Sequence, residues 1–292
     1  MVKGRFAPSP TGPLHFGSLI AATASYLQAR TQQGQWLVRI EDLDPPREQP
    51  GATDHILRTL EAFGFEWDGE VMLQSSRHTA YEAALSVLKH QDQVYLCTCT
   101  RKEIADSAIQ GIDGAIYPGT CRHAQHTKGA WRVITYADAI SFEDAIQGKQ
   151  SQNLLHDLGD FVLKRADGFY TYQLAVVVDD AAQGITQVVR GTDLLSSTPR
   201  QIYLQRLLQL PMPQYAHLPI ATNAQGEKLS KQRLAKPLDT SKPTPELWQA
   251  LQFLGQSPPQ ALQSELQALW HWALTHWQLT SVPHLVLSRP YD

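Results

Sequence analysis

Two short polar segments of the chain carry residue types that bind phosphate. His15 and Gly17 stand between a proline-rich loop and an apolar-periodic run, Leu19 to Leu27, so they would open a helix. Free N–H groups and the positive end of the helix dipole favour an anion at such a terminus. Much later, Lys228 and Lys231 flank a Leu-Ser pair and could neutralise phosphate charge. The two segments predict a phosphate-bearing ligand, although they match neither a Walker loop nor G-x-G-x-x-G.

The three cysteines lie in one short region and could bind a metal. Cys97 and Cys99 precede Cys121, with Tyr117 and His123 close to it in sequence. Thiolates attract zinc, which takes four ligands in a structural site. The C-x-C spacing differs from the C-x₂-C of common zinc ribbons, so spacing alone also allows three ordinary cysteines in a small domain. Coordination chemistry favours His123 as the fourth ligand, because imidazole binds zinc more often than phenol does.

Strand and helix patterns predict the elements that must position these groups. The pattern predicts a strand at Val2–Phe6, a helix at Gly17–Arg30 and a second strand at Trp36–Ile40. This order predicts a right-handed parallel βαβ unit. The patterns predict further helices at 53–63, 75–89 and 198–210, and further strands at 131–135, 161–164, 175–178, 188–193 and 218–220. A C-terminal stripe that includes Trp270 and Trp277 is expected to be core packing.

These patterns together predict an α/β fold. Residues 1–93 and 161–235 would form the two halves of one Rossmann-like domain with a parallel sheet, and 94–160 would be a small insertion between them. Residues 236–292 would be a short helical region. Ligands of such sheets bind beyond the carboxyl ends of the strands, where Arg5, Glu41 and Arg190 would converge.

Composition limits the classes of function. The 292 residues are 42% hydrophobic and 18% charged, which indicates a folded protein with a sizeable core. A net charge of −3 argues against a basic surface that binds nucleic acid along its whole extent, so an RNA contact would need a local patch. We find no signal peptide and no apolar run long enough for a membrane span, and the clustered cysteines suit a reducing cytoplasm. The expected location is therefore cytoplasmic.

The two phosphate-binding segments resemble the signatures of class I aminoacyl-tRNA synthetases. His15-Phe16-Gly17-Ser18 is similar to the HIGH signature, and Lys228-Leu229-Ser230-Lys231-Gln232 to the KMSKS signature. Residues 5–12, 39–44, 172–180 and 185–193 resemble the catalytic domain of glutamyl-tRNA synthetases in particular, over about residues 1–235. The chain then stops at Asp292, without the large helical anticodon-binding region of those enzymes. This resembles the glutamyl-Q tRNA(Asp) synthetases, truncated paralogues that attach glutamate to the queuosine base of tRNA(Asp).

The resemblance implies a binding site for L-glutamate. Glutamate carries two carboxylates and one ammonium, so its site needs two cationic forks and one anion. Arg5 and Arg190 supply guanidinium groups suited to carboxylates, and Glu41 supplies a partner for the ammonium. Ser9 and Tyr172 can add neutral hydrogen bonds. The alternative is that the charges between 39 and 47 form a solvated surface run.

The resemblance also implies ATP-dependent activation without tRNA, followed by transfer to queuosine. His15 and Gly17 would meet the phosphates, and Lys231, helped by Lys228, would stabilise the charge that develops during adenylate formation. Mg²⁺ would accompany ATP. Asp193 could hold a ribose hydroxyl or the substrate ammonium. The implied ATP-binding set is Ala7, His15, Gly17, Asp193, Leu229 and Lys231.

The family implies one structural zinc in the insertion, held by Cys97, Cys99, Tyr117 and Cys121. A monomer is expected, with ATP, L-glutamate and queuosine-bearing tRNA(Asp) as partners. Two other functions are open to the sequence. A non-catalytic tRNA-binding or regulatory paralogue would have no use for the phosphate-binding lysines, and ordinary charging of tRNA(Glu) would lack an anticodon reader.

Overall fold

The computed structural model describes residues 1–107, 110–111, 114–222, 236–284 and 289–290. The strands in these ranges are β1 (Lys3–Phe6), β2 (Gln35–Ile40), β3 (Met72–Leu73), β4 (Val94–Cys97), β5 (Gln110–Gly111), β6 (Gly114–Ala115), β7 (Ala130–Val133), β8 (Ala139–Asp144), β9 (Gly148–Asn153), β10 (Val162–Lys164), β11 (Gln187–Gly191), β12 (Gln214–Leu218), β13 (Ala221–Thr222) and β14 (Arg289–Pro290).

The α-helices in the same ranges are α1 (Phe16–Arg30), α2 (Ala52–Ala62), α3 (His78–His90), α4 (Arg101–Ser107), α5 (Leu154–Asp157), α6 (Tyr172–Gln183), α7 (Thr198–Leu207), α8 (Pro243–Phe253) and α9 (Leu266–His276). Short 3₁₀ turns lie at Pro45–Arg47, Gln74–Arg77, Thr192–Ser197, Gln260–Ser264 and Leu279–Ser281. No helix within the described ranges has the length and apolar character needed to span a membrane.

Two parallel sheet segments carry the site. In the first, β1 pairs with β2 and β2 with β3, and α1 is the crossover between β1 and β2. In the second, β11 pairs in parallel with β12, β12 pairs with β8, and β8 and β9 form an antiparallel hairpin. β1 contacts β11, so the carboxyl ends of β1, β2 and β11 lie in the same region of the molecule. The predicted α/β architecture with parallel strand pairing is therefore confirmed.

Most of the predicted elements are present with small shifts at their ends. The predicted strand at 175–178 is wrong, because these residues lie inside helix α6. Four consecutive residues of α6 are buried: Leu174, Ala175, Val176 and Val177. The helix is therefore apolar around most of its circumference, and its valine run shows no helical period in the sequence. Gly184 ends the helix with a φ of 67°, a left-handed conformation that glycine adopts without strain.

The predicted helix at 75–89 begins later than expected. Residues Gln74–Arg77 form a 3₁₀ turn, and α3 starts at His78. The predicted strand at 218–220 is not one continuous strand, because β12 ends at Leu218 and β13 begins only at Ala221. Pro219 lies between them and has no N–H to donate to a neighbouring strand.

The C-terminal helices α8 and α9 pack against α1 and share its core, as the tryptophan stripe predicts. Trp270 is buried on α9 and donates from its indole N–H to the carbonyl oxygen of Phe63 at 2.8 Å. Its ring also meets Tyr26 and Phe65 edge to face, with centroids 5.0 and 5.1 Å away. Trp277 lies partly buried at the edge of the same core and donates to Gln28.

Candidate functional site

The turn from β1 into α1 forms one wall of a cavity. β1 ends at Phe6, a loop with Pro8 and Pro10 follows, and His15 caps α1 by accepting a hydrogen bond from the Ser18 N–H at 3.3 Å. Buried Leu14 and Phe16 anchor this turn on both sides of His15. The cap holds the imidazole against the first turn of α1, where unpaired N–H groups are a feature of any helix start.

A cavity of about 400 Å³ opens beside this turn. Its lining includes three of the predicted ATP-binding residues, His15, Gly17 and Asp193, together with Ser9. Ala7 lies between two lining residues, Phe6 and Pro8, but is not itself part of the wall. The predicted Lys228, Leu229 and Lys231 lie outside the described residues.

A second cavity of about 310 Å³ adjoins the first, because Ser9 and Thr11 line both. Glu41 and Tyr172, two of the predicted glutamate-binding residues, also line it. Burial raises the pKa of Tyr172, so this phenol is a neutral hydrogen-bonding group. The structure thus brings Ser9, Glu41 and Tyr172 together at one opening, as the sequence predicts.

Arg5 belongs to a buried network of charges that the sequence analysis did not anticipate. Its Nε donates to Asp180 Oδ1 at 3.2 Å, and Arg39 Nη1 donates to the same oxygen at 2.7 Å. Arg39 Nη2 lies 3.3 Å from Glu41 Oε1. Arg39 has no exposed side-chain surface, and Asp180 is only 8% exposed. The two arginines and two carboxylates balance in charge.

The network sets the ionisation of its carboxylates. Burial alone would raise the pKa of Asp180, but the charges of Arg5 and Arg39 hold this pKa below its ordinary value. Burial also raises the pKa of Glu41, and Arg39 and Arg5 oppose this rise. Arg39 and Asp180 had no assigned role in the sequence analysis. Two adjacent aspartates, Asp179 and Asp180, inside an apolar run were the signal, because buried carboxylates need partners.

Arg190 lies on the other side of Tyr172 and has a different environment. Its Nη1 donates to Tyr172 Oη at 3.0 Å, and its Nη2 donates to Thr198 Oγ1 at 2.8 Å. Its Nε donates to His217 Nε2 at 3.1 Å, and Nη2 also lies 3.4 Å from the Leu194 carbonyl oxygen. Arg190 is 4% exposed, and within the described part of the chain none of its partners is a carboxylate. This buried cation therefore lacks a counter-ion among those residues.

The three cysteine thiols converge at the end of β4 and in the segment that follows it. Their sulfur atoms lie within 4.8 Å of one another, and Cys99 Sγ and Cys121 Sγ are 3.5 Å apart. Tyr117 Oη lies 3.3 Å from Cys97 Sγ and 3.8 Å from Cys99 Sγ. His123 is exposed. The Nε2 atom of His126, which the sequence analysis did not consider, lies 3.4 Å from Thr98 Oγ1, between Cys97 and Cys99 in sequence.

Surrounding ion pairs hold the cysteine region against the antiparallel sheet of β4, β7 and β10. Arg122 donates to both carboxylate oxygens of Asp160, each at 2.6 Å, and Tyr95 donates to Oδ2 at 2.6 Å. Arg132 lies with its guanidinium carbon 4.0 Å from the centre of the Tyr117 ring. The cluster is therefore held in place by residues that precede the cysteines in sequence, such as Tyr95, and by residues that follow them, such as Arg132.

Comparison with known proteins identifies the family of the chain. Residues 1–244 match the family described as tRNA synthetases class I (E and Q), catalytic domain. The chain is 59% identical over 287 residues to a glutamyl-Q tRNA(Asp) synthetase from Dechloromonas aromatica (strain RCB), covering 96% of this chain and 95% of that protein. A protein of the same name from Chromobacterium violaceum is 55% identical, with 99% of this chain and 98% of that protein covered.

A solved structure supports the same fold. The glutamate-tRNA synthetase from Elizabethkingia anophelis superposes with a TM-score of 0.80 and 25% identity, over 99% of this chain and 68% of that one. The chain belongs to the class I aminoacyl-tRNA synthetases and, within them, to the glutamyl-Q tRNA(Asp) synthetase family, whose members are ligases.

Proposed function

We propose that this ligase activates L-glutamate with ATP, without tRNA, and transfers the glutamate to the queuosine base in the anticodon of tRNA(Asp). The names of the relatives at 54–59% identity support the substrate and the acceptor. The observation that carries the glutamate assignment is Arg190, a buried cation that has neutral partners in the described structure and lies next to a cavity wall.

The charges around the second cavity match glutamate. Arg5 and Arg39 offset Glu41 and Asp180, and Arg190 adds one positive charge. Glutamate has a net charge of −1, so its binding would neutralise this surplus. In this arrangement Arg190 and Tyr172 receive the side-chain carboxylate, and Glu41 attracts the ammonium. Ser9, on the shared wall of the two cavities, is a hydrogen-bonding group for the reacting end of the substrate.

The wall shared by the two cavities would bring glutamate and ATP next to each other for the activation step. The α-carboxylate of glutamate would attack the α-phosphorus of ATP, forming a carboxyl–phosphate bond and releasing pyrophosphate. Catalysis of this step requires positioning and charge neutralisation more than covalent chemistry. His15 and Gly17 line the cavity that would hold the nucleotide, and Asp193 would bind its ribose or the substrate ammonium. A magnesium ion bound with ATP would supply positive charge that offsets the negative charge of the phosphates.

The remaining nucleotide contacts are assigned from the sequence. Lys231, with Lys228, would stabilise the charge that develops on the α-phosphate and on the leaving pyrophosphate. Leu229 and Ala7 would be neighbours of the nucleotide. These lysines belong to the KMSKS-like segment, and their role depends on the same chemistry as in the rest of the family.

The cysteine cluster fits a structural zinc ion. A tetrahedral site with Zn–S bonds of about 2.3 Å has edges of about 3.8 Å. The distances from Tyr117 Oη to two sulfurs, 3.3 and 3.8 Å, and the 3.5 Å between Cys99 and Cys121 agree with such edges. Cys97, Cys99, Cys121 and Tyr117 would hold the ion, which would fix the loop between β4 and β7. His123, the alternative ligand, is exposed.

Two measurements test the proposed function. The first is ATP–pyrophosphate exchange with glutamate in the absence of tRNA, and glutamine and aspartate are the competing substrates. Exchange with glutamate alone is expected. Exchange that requires tRNA would contradict tRNA-independent activation.

The second measurement identifies the acceptor. Radiolabelled glutamate is incubated with ATP, the enzyme and tRNA(Asp), either with or without queuosine, and the 3′ adenosine is then removed. Periodate is not used to block the 3′ end, because it would also cleave the diol of queuosine. Label that depends on queuosine and survives removal of the 3′ adenosine is expected. Label that is lost with the 3′ adenosine would indicate ordinary charging, and no transfer after successful exchange would leave activation without this acceptor.

A further inference from the structure

A buried aspartate–histidine pair lies directly behind Arg190. His217 on β12 lies opposite Arg190 on β11, because the two strands pair in parallel with these residues in register. His217 Nδ1 lies 2.6 Å from Asp144 Oδ2, and neither side chain is exposed. Asp144 is the last residue of β8, so the pair joins the β8–β9 hairpin to β12, the strand next to the one that carries Arg190.

The hydrogen bonds around this pair define which histidine nitrogen carries the proton. Asp144 Oδ1 accepts from the backbone N–H groups of Ile146, Gln147 and His217, at 3.0, 2.8 and 3.1 Å. Oδ2 is therefore the oxygen that accepts from His217 Nδ1–H. His217 Nε2 then has a lone pair, and it accepts from Arg190 Nε at 3.1 Å.

A charged imidazole would not fit this position. His217 Nε2 also lies 3.1 Å from Thr198 Oγ1, a hydroxyl that can donate to the unprotonated nitrogen. A protonated Nε2 would place an N–H against the N–H of Arg190, and two cations would meet in a buried site. Burial lowers the pKa of His217 to about 4, and the Arg190 charge adds to this effect while Asp144 opposes it. His217 is therefore a neutral acceptor at neutral pH.

We propose that His217, oriented by Asp144, is a positioning residue that sets the preference for glutamate. It holds the Nε edge of Arg190 and leaves the Nη edge to Tyr172, Thr198 and the substrate carboxylate. The imidazole also lies between Arg190 and the Asp144 carboxylate, so the arginine is oriented without a contacting anion that would compete with the substrate. This inference rests on the proposed function, because it takes Arg190 as the group that binds the side-chain carboxylate.

Asp144→Asn tests the proposal through the histidine tautomer. Three backbone N–H groups hold an oxygen at the Oδ1 position, so the new amide NH₂ would face His217 Nδ1. The histidine would then carry its proton on Nε2, directed at Arg190. We expect a loss of glutamate affinity of about 10- to 100-fold, the usual effect of losing one hydrogen bond to a charged group, with ATP affinity unchanged.

The readouts are glutamate and ATP dissociation constants by calorimetry, the melting temperature, and the ¹⁵N chemical shifts of His217. The wild type is expected to show the Nδ1–H tautomer and Asp144→Asn the Nε2–H tautomer. Glu143→Gln is the matched control, because it removes a carboxylate from the adjacent, exposed position of β8. A wild-type histidine protonated on Nε2, or on both nitrogens, would overturn the proposal without any variant.

Two substitutions of the histidine give an independent test. His217→Gln keeps one neutral acceptor and one donor, and we expect glutamate affinity within about threefold of the wild type, whereas His217→Leu should lose about 10- to 100-fold. Equal glutamate affinity in both variants would overturn the proposal. Arg190→Ala separates the two levels of inference: if it leaves glutamate binding unchanged, the proposed function of Arg190 fails. If it abolishes binding while folded Asp144→Asn and His217→Leu retain it, only the positioning role fails.

Discussion

Asp180 Oδ1 accepts a hydrogen bond from Arg39 Nη1 at 2.7 Å, in a pair that joins β2 to α6. Arg39 has no exposed side-chain surface, and it also contacts Glu41 on the wall of the second cavity. Asp180 compensates Arg5 as well. One carboxylate thus holds two arginines in place. Arg190 is the buried arginine of this region that has no carboxylate partner among the described residues.

We expect Asp180→Asn to lower the free energy of unfolding by about 3–5 kcal/mol, since it leaves two buried cations without their shared counter-ion. Urea denaturation at pH 7 measures the change. Asp167→Asn is the control, because Asp167 pairs with Arg165 at an exposed position and should contribute less than about 1 kcal/mol. A loss below about 1 kcal/mol for Asp180→Asn would show that Glu41 compensates Arg39 on its own.

Arg190→Ala should weaken glutamate binding much more than ATP binding. An interaction between a buried guanidinium and a carboxylate is worth about 3 kcal/mol or more, which corresponds to a loss of about 100-fold or more in glutamate affinity. Calorimetry with each ligand separates the two effects. Arg206→Ala, at an exposed position on α7, is the control for loss of an arginine. Equal losses for glutamate and ATP would contradict the assignment.

The sequence predicted the parts of the site that depend on local motifs. His15 and Gly17 open α1 as expected, because the proline-rich loop and the apolar period are both local signals. Ser9 and Glu41 meet at one cavity because they follow β1 and β2, the two parallel strands that the pattern predicted. Tyr172 reaches the same cavity from the start of α6, a helix that the pattern did not predict.

The contacts behind the site could not be predicted in this way. Asp180 meets Arg39, and His217 meets Asp144, across long stretches of sequence. Only the packing of α6 and of the β8–β12 pair creates these contacts. The same packing explains the wrong strand at 175–178, since a helix buried on most sides shows no amphipathic period.

Protonation of His217 should make the protein less stable in mild acid. The pKa of this histidine is about 4 in the folded protein and about 6.5 in an unfolded chain. Between these values the unfolded chain binds more protons, so the free energy of unfolding falls as the pH falls. From pH 7.5 to pH 5 the contribution of His217 is a loss of about 2 kcal/mol.

The comparison of wild type with His217→Gln isolates this contribution. Urea denaturation at several pH values should give a smaller decrease between pH 7.5 and pH 5 for the variant, because the imidazole that binds a proton in the unfolded chain is absent. Parallel curves for wild type and variant would show that the histidine titrates equally in the folded and unfolded states.

Metal analysis should find one zinc ion per chain, and Tyr117→Phe should lower the zinc affinity more than His123→Ala does. The phenol oxygen of Tyr117 lies 3.3 Å from Cys97 Sγ, whereas His123 is exposed. His126→Ala is a third variant, because His126 lies beside Thr98, between Cys97 and Cys99 in sequence, and could replace the phenol as a ligand. Zinc content after dialysis against a chelator, measured by mass spectrometry, ranks the three variants. Retention in Tyr117→Phe together with loss in His123→Ala or His126→Ala would assign the fourth ligand to that histidine, and a wild type purified with zinc present but free of metal would remove the site.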